Sequence, residues 1–329
     1  MKHDMRMLLL PLLLLWGLAW VAAGRSGVLP DAVPPEEAAA EARAEAARRS
    51  DRETSLRVLR GGTAEEMSMD DYLTGVLRAE MPASFEEEAL KAQAIAARTY
   101  TLYKMAHGPI ANHPDADACD DINCCKAFQS AEDAAADWGG MALYYEEKLR
   151  RAVTETDGQV IRYDGEPILA VFCSSTNGHT QNAGAVWQSD LPYLQSVSSP
   201  EDETLVPNYY SVATFSADEL RALVRAARPD ADFSGAPEGW ITDVERNDAG
   251  FVTTLRVGGA ALRGNELRSI LSLRSPSFSV ETDGGTFTFR VTGYGHGVGM
   301  SQYGANALAK QGMSAEEILT HYFSGAVVG

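Results

Sequence analysis

The sequence predicts an α+β fold, and three observations carry that expectation. Two helical patterns follow one another between Ser68 and Leu102; a hairpin signal, Asp164-Gly165, separates two strand-like runs; and from about Ser196 the chain becomes a mixture of short helices and alternating strands. The expected architecture is a larger helical/β domain, residues 55–195 with 286–329. It carries a smaller inserted α+β subdomain at 196–285 and follows an N-terminal membrane anchor at 1–24 and a linker at 25–54.

Taken in order, the chain opens with Lys2 and Arg6 ahead of an apolar stretch from Met7 to Ala23. This length fits either a cleaved secretory signal or an uncleaved anchor. Trp16 and Trp20, with no clean small-residue cleavage pattern, favour the anchor. The positive flank puts the residues after Arg25 on the outer face of the membrane, so the expected location is the cell membrane, single-pass, with an extracytoplasmic domain, or secreted if the segment is removed. From Arg25 to about Asp51 the chain is rich in Pro, Ala and charge and lacks large apolar residues, which reads as a tether.

Ser68 is placed to cap a helix with Leu73, Val76 and Leu77 on one face, which Pro82 closes. Ser84 and Glu87 have the spacing of a capping box for a second helix striped with Leu90, Ala94, Ile95 and Leu102. Lys91 and Arg98 are seven residues apart and so project from nearly the same side of it. Further helices are expected at Ala131 to Asp137 and Glu146 to Glu155, then strands at Val160 to Tyr163 and Ile168 to Cys173. The second strand runs into the polar turn Ser174-Ser175-Thr176-Asn177-Gly178. The subdomain should hold a helix from Ser216 to Ala227, strands near Trp240 to Arg246 and Phe251 to Val257, and a short helix at Gly264 to Leu271. A strand at Thr286 to Val291 leads into a loop with glycine at every second position from 293 to 299 around His296, and then into a helix.

The net charge of −18 argues against nucleic acid or an anionic lipid surface as a partner and favours a neutral or weakly charged polymer. Glu80 stands at the break between the first two helices, where Met81 and Pro82 take away part of its hydration, as a general acid requires. Among many glutamates, that position makes it the candidate catalytic group. Ser174, Ser175 and Thr176 read as hydrogen-bonding groups, because no G-x-S-x-G elbow is present.

The runs EMPASFEEEALKAQAIAARTY, FCSSTNGHT, SLRSPSF and YGHGVGMSQYGA, in that order, resemble the stage II sporulation protein D family and its amidase-enhancer relatives, from about Ser55 to the C-terminus. The resemblance implies a lytic transglycosylase that cleaves the MurNAc-β-1,4-GlcNAc bond of peptidoglycan to 1,6-anhydro ends. It further implies action during engulfment, on glycan strands stripped of stem peptides by a partner amidase, alongside other engulfment proteins. Glu80 matches the catalytic glutamate, and Lys91 and Arg98 match groove residues of the following helix. Ser174, Ser175, Thr176, His296 and Gln302 are then expected to bind substrate. The family often has histidine where this chain has Cys173. The competing reading is a non-catalytic wall-binding enhancer of an N-acetylmuramoyl-L-alanine amidase.

Cys119, Cys124 and Cys125 crowd into one segment near His113, while Cys173 stands apart. A disulfide from Cys119 to one of the pair is one reading. A structural zinc site of one imidazole and three thiolates is the other, and some relatives with a mixed histidine and cysteine site in this loop favour it. No cofactor is expected for the chemistry itself.

Overall fold

In the computed structural model the described residues are 50–108, 112–122, 124–187 and 190–329; the expected anchor and most of the linker lie outside them. Among the described residues no helix is long and apolar enough to cross a membrane. The protein is a mixed α+β structure.

It begins with a hairpin, β1 (Ser55–Arg60) and β2 (Thr63–Ser68), and then two helices, α1 (Met69–Glu80) and α2 (Glu87–Ala106). After β3 (Ala118–Cys119), which pairs parallel with β1, come α3 (Ala131–Trp138) and α4 (Ala142–Glu155). Next are β4 (Ile161–Tyr163), β5 (Glu166–Pro167), β6 (Phe172–Cys173) and the short α5 (Ala183–Val186). A second group holds β7 (Tyr210–Ser216), α6 (Ala217–Ala227), β8 (Ile241–Arg246), β9 (Val252–Val257), β10 (Ala260–Arg263), α7 (Gly264–Ile270), β11 (Phe278–Asp283) and β12 (Thr286–Thr292). The chain closes with β13 (Met300–Ser301), α8 (Gln302–Lys310), α9 (Ala315–Tyr322) and β14 (Val327–Val328).

Two hydrophobic cores result. The larger packs the fully buried faces of α1 and α2, including Leu73, Leu77, Leu90 and Ile95, against α4, α8 and α9. The smaller is built from Leu220, Trp240, Val257, Leu267 and the phenylalanines of β11 and β12. Strand order there is β11-β12-β7 beside a separate β10-β9-β8 sheet. The strand at 286 was expected to return the chain to the larger domain, but its alternation buries Phe287, Phe289 and Val291 in the smaller core, so the return comes after Thr292.

Two local expectations also change. Ser68 caps α1 through the Asp71 N–H as its spacing suggests, whereas the Ser84–Glu87 capping box does not form. Instead α2 starts at Glu87, the Glu86 N–H is bound by Asn306 Oδ1 at 2.8 Å, and the preceding turn is gripped by the buried Lys148 ammonium through the Ala83 and Phe85 carbonyls. The run Ile168 to Cys173 is not one strand: the Ile168 N–H bonds the Ile161 carbonyl at the β4–β5 hairpin, and Phe172 and Cys173 pair instead with β13. The Asp164-Gly165 turn does close the β4–β5 hairpin, both residues having positive φ.

Candidate active site

Glu80 ends α1 because Met81 turns extended ahead of Pro82, leaving the carboxylate half-buried at the mouth of the turn to α2. One oxygen accepts from the Ala127 N–H at 3.3 Å, and the other lies 3.5 Å from the Gln302 side-chain amide. That amide is equally close to Gln93 Oε1, so two buried glutamines and the carboxylate form one polar chain. The Gln93 amide nitrogen has no protein partner, which leaves a donor free in this chain.

Beside Glu80 lies Lys126. Its ammonium sits 3.7 Å from the Phe172 ring centre and 4.2 Å from that of Tyr100, a pair of cation–π contacts. Burial lowers its pKa to about 8, with the Glu80 charge opposing the shift. Gln93 and Tyr100 are seven residues apart on α2 and share a face, the same spacing that drew attention to Lys91 and Arg98. Lys91 and Gln93 are two residues apart, about 200° around the helix, so the Lys91 side looks away from Glu80.

The opposite wall joins two segments far apart in sequence. β6 and β13 pair in parallel, Phe172 with Met300 and Cys173 with Ser301, and Ser175 bridges Tyr294. Alternate glycines allow the approach: a Cβ at Gly299 would fall 2.1 Å from the Val171 carbonyl oxygen, and one at Gly293 would fall 2.6 Å from that of Thr176, both glycines having positive φ. The buried Glu201 carboxylate locks the two segments together. Its Oε1 accepts from the Thr176 N–H at 2.7 Å, the Thr176 hydroxyl at 2.8 Å and the Ser301 hydroxyl at 2.6 Å. Since Ser301 also caps α8, Glu201 fixes the residue that precedes Gln302.

The structure therefore redistributes the expected binding residues. Glu80 and Gln302 come together, the Gln302 amide 3.5 Å from the carboxylate. Arg98 does not join them: it is 1% exposed and forms a bidentate pair with Asp51, at 2.9 Å and 2.6 Å, while also donating to the Gln159 and Val153 carbonyls. Lys91 pairs with Glu88 and with Glu155 at the end of α4. Both are structural cations, because α4 packs on that face of α2. Thr176 is engaged by Glu201, and the Ser175 hydroxyl is buried without a protein partner. Ser174 is half-buried, and its carbonyl accepts from the Tyr303 N–H.

His296 uses its ring nitrogens on backbone. Nδ1 accepts from the Val298 N–H at 3.1 Å, and a further bond goes to the Phe172 backbone, so only the ring itself, 5.4 Å from that of Trp187, is open to a ligand. Burial and the charges of Lys126 and Arg268 push its pKa down to about 3. The Cys173 thiol, which stands where a histidine is common in the family, is pushed up to about 12 by burial and by Glu201, so it is a neutral packing group. Its Cβ lies against Gly295.

The cysteine loop reaches this site directly, since Lys126 and Ala127 follow Cys125. All four cysteines are free thiols, so the disulfide alternative is not formed. The donor atoms of His113, Cys119, Cys124 and Cys125 lie within 4.8 Å of one another. Tetrahedral zinc needs nitrogen and sulfur donors about 3.3–3.8 Å apart, so a small contraction suffices. His113 Nδ1 is held by the Ala116 carbonyl at 2.9 Å, which leaves Nε2 facing inward, 3.3 Å from Cys125 Sγ. Burial pushes the Cys119 and Cys125 thiols up, Cys125 to about 12, and a divalent cation is the charge that would hold them as thiolates. The donor set and its spacing fit a structural zinc ion.

Sequence reasoning passed over Lys126, Gln93, Tyr100 and Glu201. Gln93 and Tyr100 carried a usable signal in their shared helical face. Glu201 carried none, since its partners come from two distant segments.

Fold and site together define a mixed α+β protein in which one helix-end glutamate faces an amide, an ammonium and a glycine-rich loop. The family model for SpoIID, Stage II sporulation protein, matches residues 60–163. The chain is 38% identical to Stage II sporulation protein D of Bacillus amyloliquefaciens, over 80% of this chain and 74% of the relative. It is 36% identical to the protein of that name in Bacillus subtilis (strain 168), over 81% and 76%. It is also 29% identical to the Amidase enhancer of Bacillus subtilis (strain 168), over 78% of this chain and 40% of that protein. The chain belongs to the stage II sporulation protein D family.

Proposed function

We propose that this protein is a peptidoglycan lytic transglycosylase acting in sporulation, with Glu80 as its single acid and base. The observation that carries the reading is the setting of Glu80: half-buried, next to the Lys126 ammonium, and held by an amide and a backbone N–H. Hydrolysis of a glycosidic bond ordinarily uses two carboxyl groups, one activating water or attacking C1. Transglycosylation needs one. Protonated Glu80 donates to the glycosidic oxygen as the C1–O bond breaks; the resulting carboxylate takes the proton of the muramyl C6 hydroxyl, whose oxygen closes on C1 to give the 1,6-anhydro ring. The proton count at Glu80 is restored and no water is consumed.

Gln302 and Ala127 orient the carboxylate, and the Lys126 ammonium lies beside it. In this reading His113, Cys119, Cys124 and Cys125 hold a structural zinc ion, which fixes the stretch that delivers Lys126 and Ala127. The apolar N-terminal segment tethers the protein outside the cell membrane, where glycan strands and an amidase are its partners.

Digestion of peptide-free glycan strands followed by mass spectrometry tests the chemistry. Wild type should release anhydromuramyl ends, and Glu80→Gln should reduce them by about 10²-fold or more. No such ends from wild type, or undiminished ends from Glu80→Gln, would refute it. The similarity to an Amidase enhancer supports a second reading, a non-catalytic activator. That reading requires an amidase to run faster in the presence of wild type and of Glu80→Gln alike.

A further inference from the structure

A cleft of about 490 Å³ opens beside the candidate active site, lined by Trp187 and His296 on one side and by Asn265, Arg268, Leu262 and Ile270 on the other. It joins the glycine loop of the larger core to α7 of the smaller one. Its contents are unusual for a chain of net charge −18. Arg268 is half-buried and has no ion pair among the described residues; its Nε donates to the Arg274 carbonyl at 3.2 Å. The groups that bear on it electrostatically are the Cys173 thiol and the Tyr294 phenol, not a carboxylate. The cleft's other guanidinium, Arg228, is by contrast already paired with Asp230, and the Glu266 carboxylate caps its own helix.

An unpaired guanidinium drawn partly out of water is unfavourable unless a counter-charge arrives. Next to it, Asn265 Oδ1 is buried without a partner. The Trp187 and His296 rings, 5.4 Å apart, offer apolar faces of the kind that pack on sugar C–H groups. His296, on one wall of the cleft, is bonded to the Phe172 backbone, and the Phe172 ring centre lies 3.7 Å from the Lys126 ammonium beside Glu80.

We propose that this cleft is a subsite for a carboxylate-bearing amino sugar, and that Arg268 is the specificity-determining residue that reads its carboxylate. Resting on the transglycosylase reading, the group identified is the O-lactyl carboxylate of a muramyl residue, which carries a charge only when no peptide is amide-linked to it. The guanidinium presents two parallel N–H donors to that carboxylate, and Asn265 accepts from a sugar N–H or hydroxyl.

Binding separates this proposal from the chemistry. In the full chain carrying Glu80→Gln, affinity is measured for three immobilised glycans: peptide-free strands, the same strands with the lactyl carboxyl reduced to the alcohol, and peptide-bearing strands. Peptide-free strands should bind at least tenfold more tightly than either of the others. Arg268→Gln should abolish that gap by weakening only the first, and Arg268→Lys should retain part of it. Equal binding of peptide-free and carboxyl-reduced strands overturns the proposal without any variant, so a folding defect in Arg268→Gln cannot mask the answer. Binding of peptide-bearing strands as tight as that of peptide-free ones overturns the lactyl assignment. If the gap is present but wild type makes no anhydro ends, the transglycosylase reading fails and the subsite stands.

Discussion

Replacing Arg98 by alanine should destabilise the protein rather than strip it of a substrate contact. The guanidinium is 1% exposed and its partner Asp51 is 6% exposed, counting side chains, and the two are linked by a bidentate pair. Arg98 also donates to the Gln159 carbonyl at 3.2 Å and to that of Val153 at 3.4 Å. Truncation leaves a buried carboxylate without its counter-charge and two carbonyls short of a donor. Breaking a buried pair from one side costs about 3–5 kcal/mol. For a chain of this order each kcal/mol lowers the melting temperature by about 2–4 °C, so Arg98→Ala should melt roughly 6–20 °C below wild type. Burial already raises the pKa of Asp51 against the pull of Arg98, so Asp51→Asn in the same chain should recover part of the loss. Thermal denaturation followed by circular dichroism gives the stability, and release of anhydromuramyl ends well below the melting point gives the activity. A melting point within about 1 °C of wild type together with a hundredfold loss of activity would refute the structural role and return Arg98 to the substrate.

Removing zinc with a chelator, or changing Cys125 to serine, should lower metal content from one equivalent to none and reduce the melting temperature; wild type containing no zinc by elemental analysis would dispose of the site. Gly299→Ala forces a Cβ to within 2.1 Å of the Val171 carbonyl at a positive φ, which should lower stability by about 2–4 kcal/mol in urea denaturation; a neutral result would mean that the β6–β13 approach is not tight. His296 has a folded-state pKa of about 3 against 6.5 when unfolded, so the unfolded chain binds more protons between those values. Its contribution to stability is complete above pH 6.5 and is lost as pH falls toward 3. Its ring resonances should not titrate between about pH 5 and 8, and an inflection near 6.5 would contradict the burial that sets it. Glu201→Ala leaves the Thr176 N–H and hydroxyl without their acceptor and the Ser301 hydroxyl with only the Ser174 carbonyl at 3.4 Å, and activity should fall further than stability alone explains; full activity at normal stability would show that Glu201 does not position the Gln302 segment.

Local patterns carried the elements whose ends are written in short-range chemistry. Ser68 caps its helix, the Asp164-Gly165 turn makes its hairpin, and the alternation from Thr286 to Val291 makes a strand. The same patterns failed where a distant group intervened. Asn306 and Lys148 hold the turn before α2, so the Ser84 cap is not needed, and the burial of Phe287 and Phe289 moved a strand from one core to the other.

At the site, residue type and spacing pointed to Glu80 at a helix end, to four metal-type donors in one short loop, and to a glycine loop able to run close against something, because each of these properties belongs to neighbouring residues. Which face of α2 meets the active site, which of its cations is bound up in the core, and that Lys126, Gln93 and Glu201 join Glu80 and the glycine loop all depend on contacts between residues up to 222 positions apart. Such contacts are set by how α4, α8 and the β6–β13 pair dock on α2. Docking depends on the burial of whole faces, which no window along the chain contains.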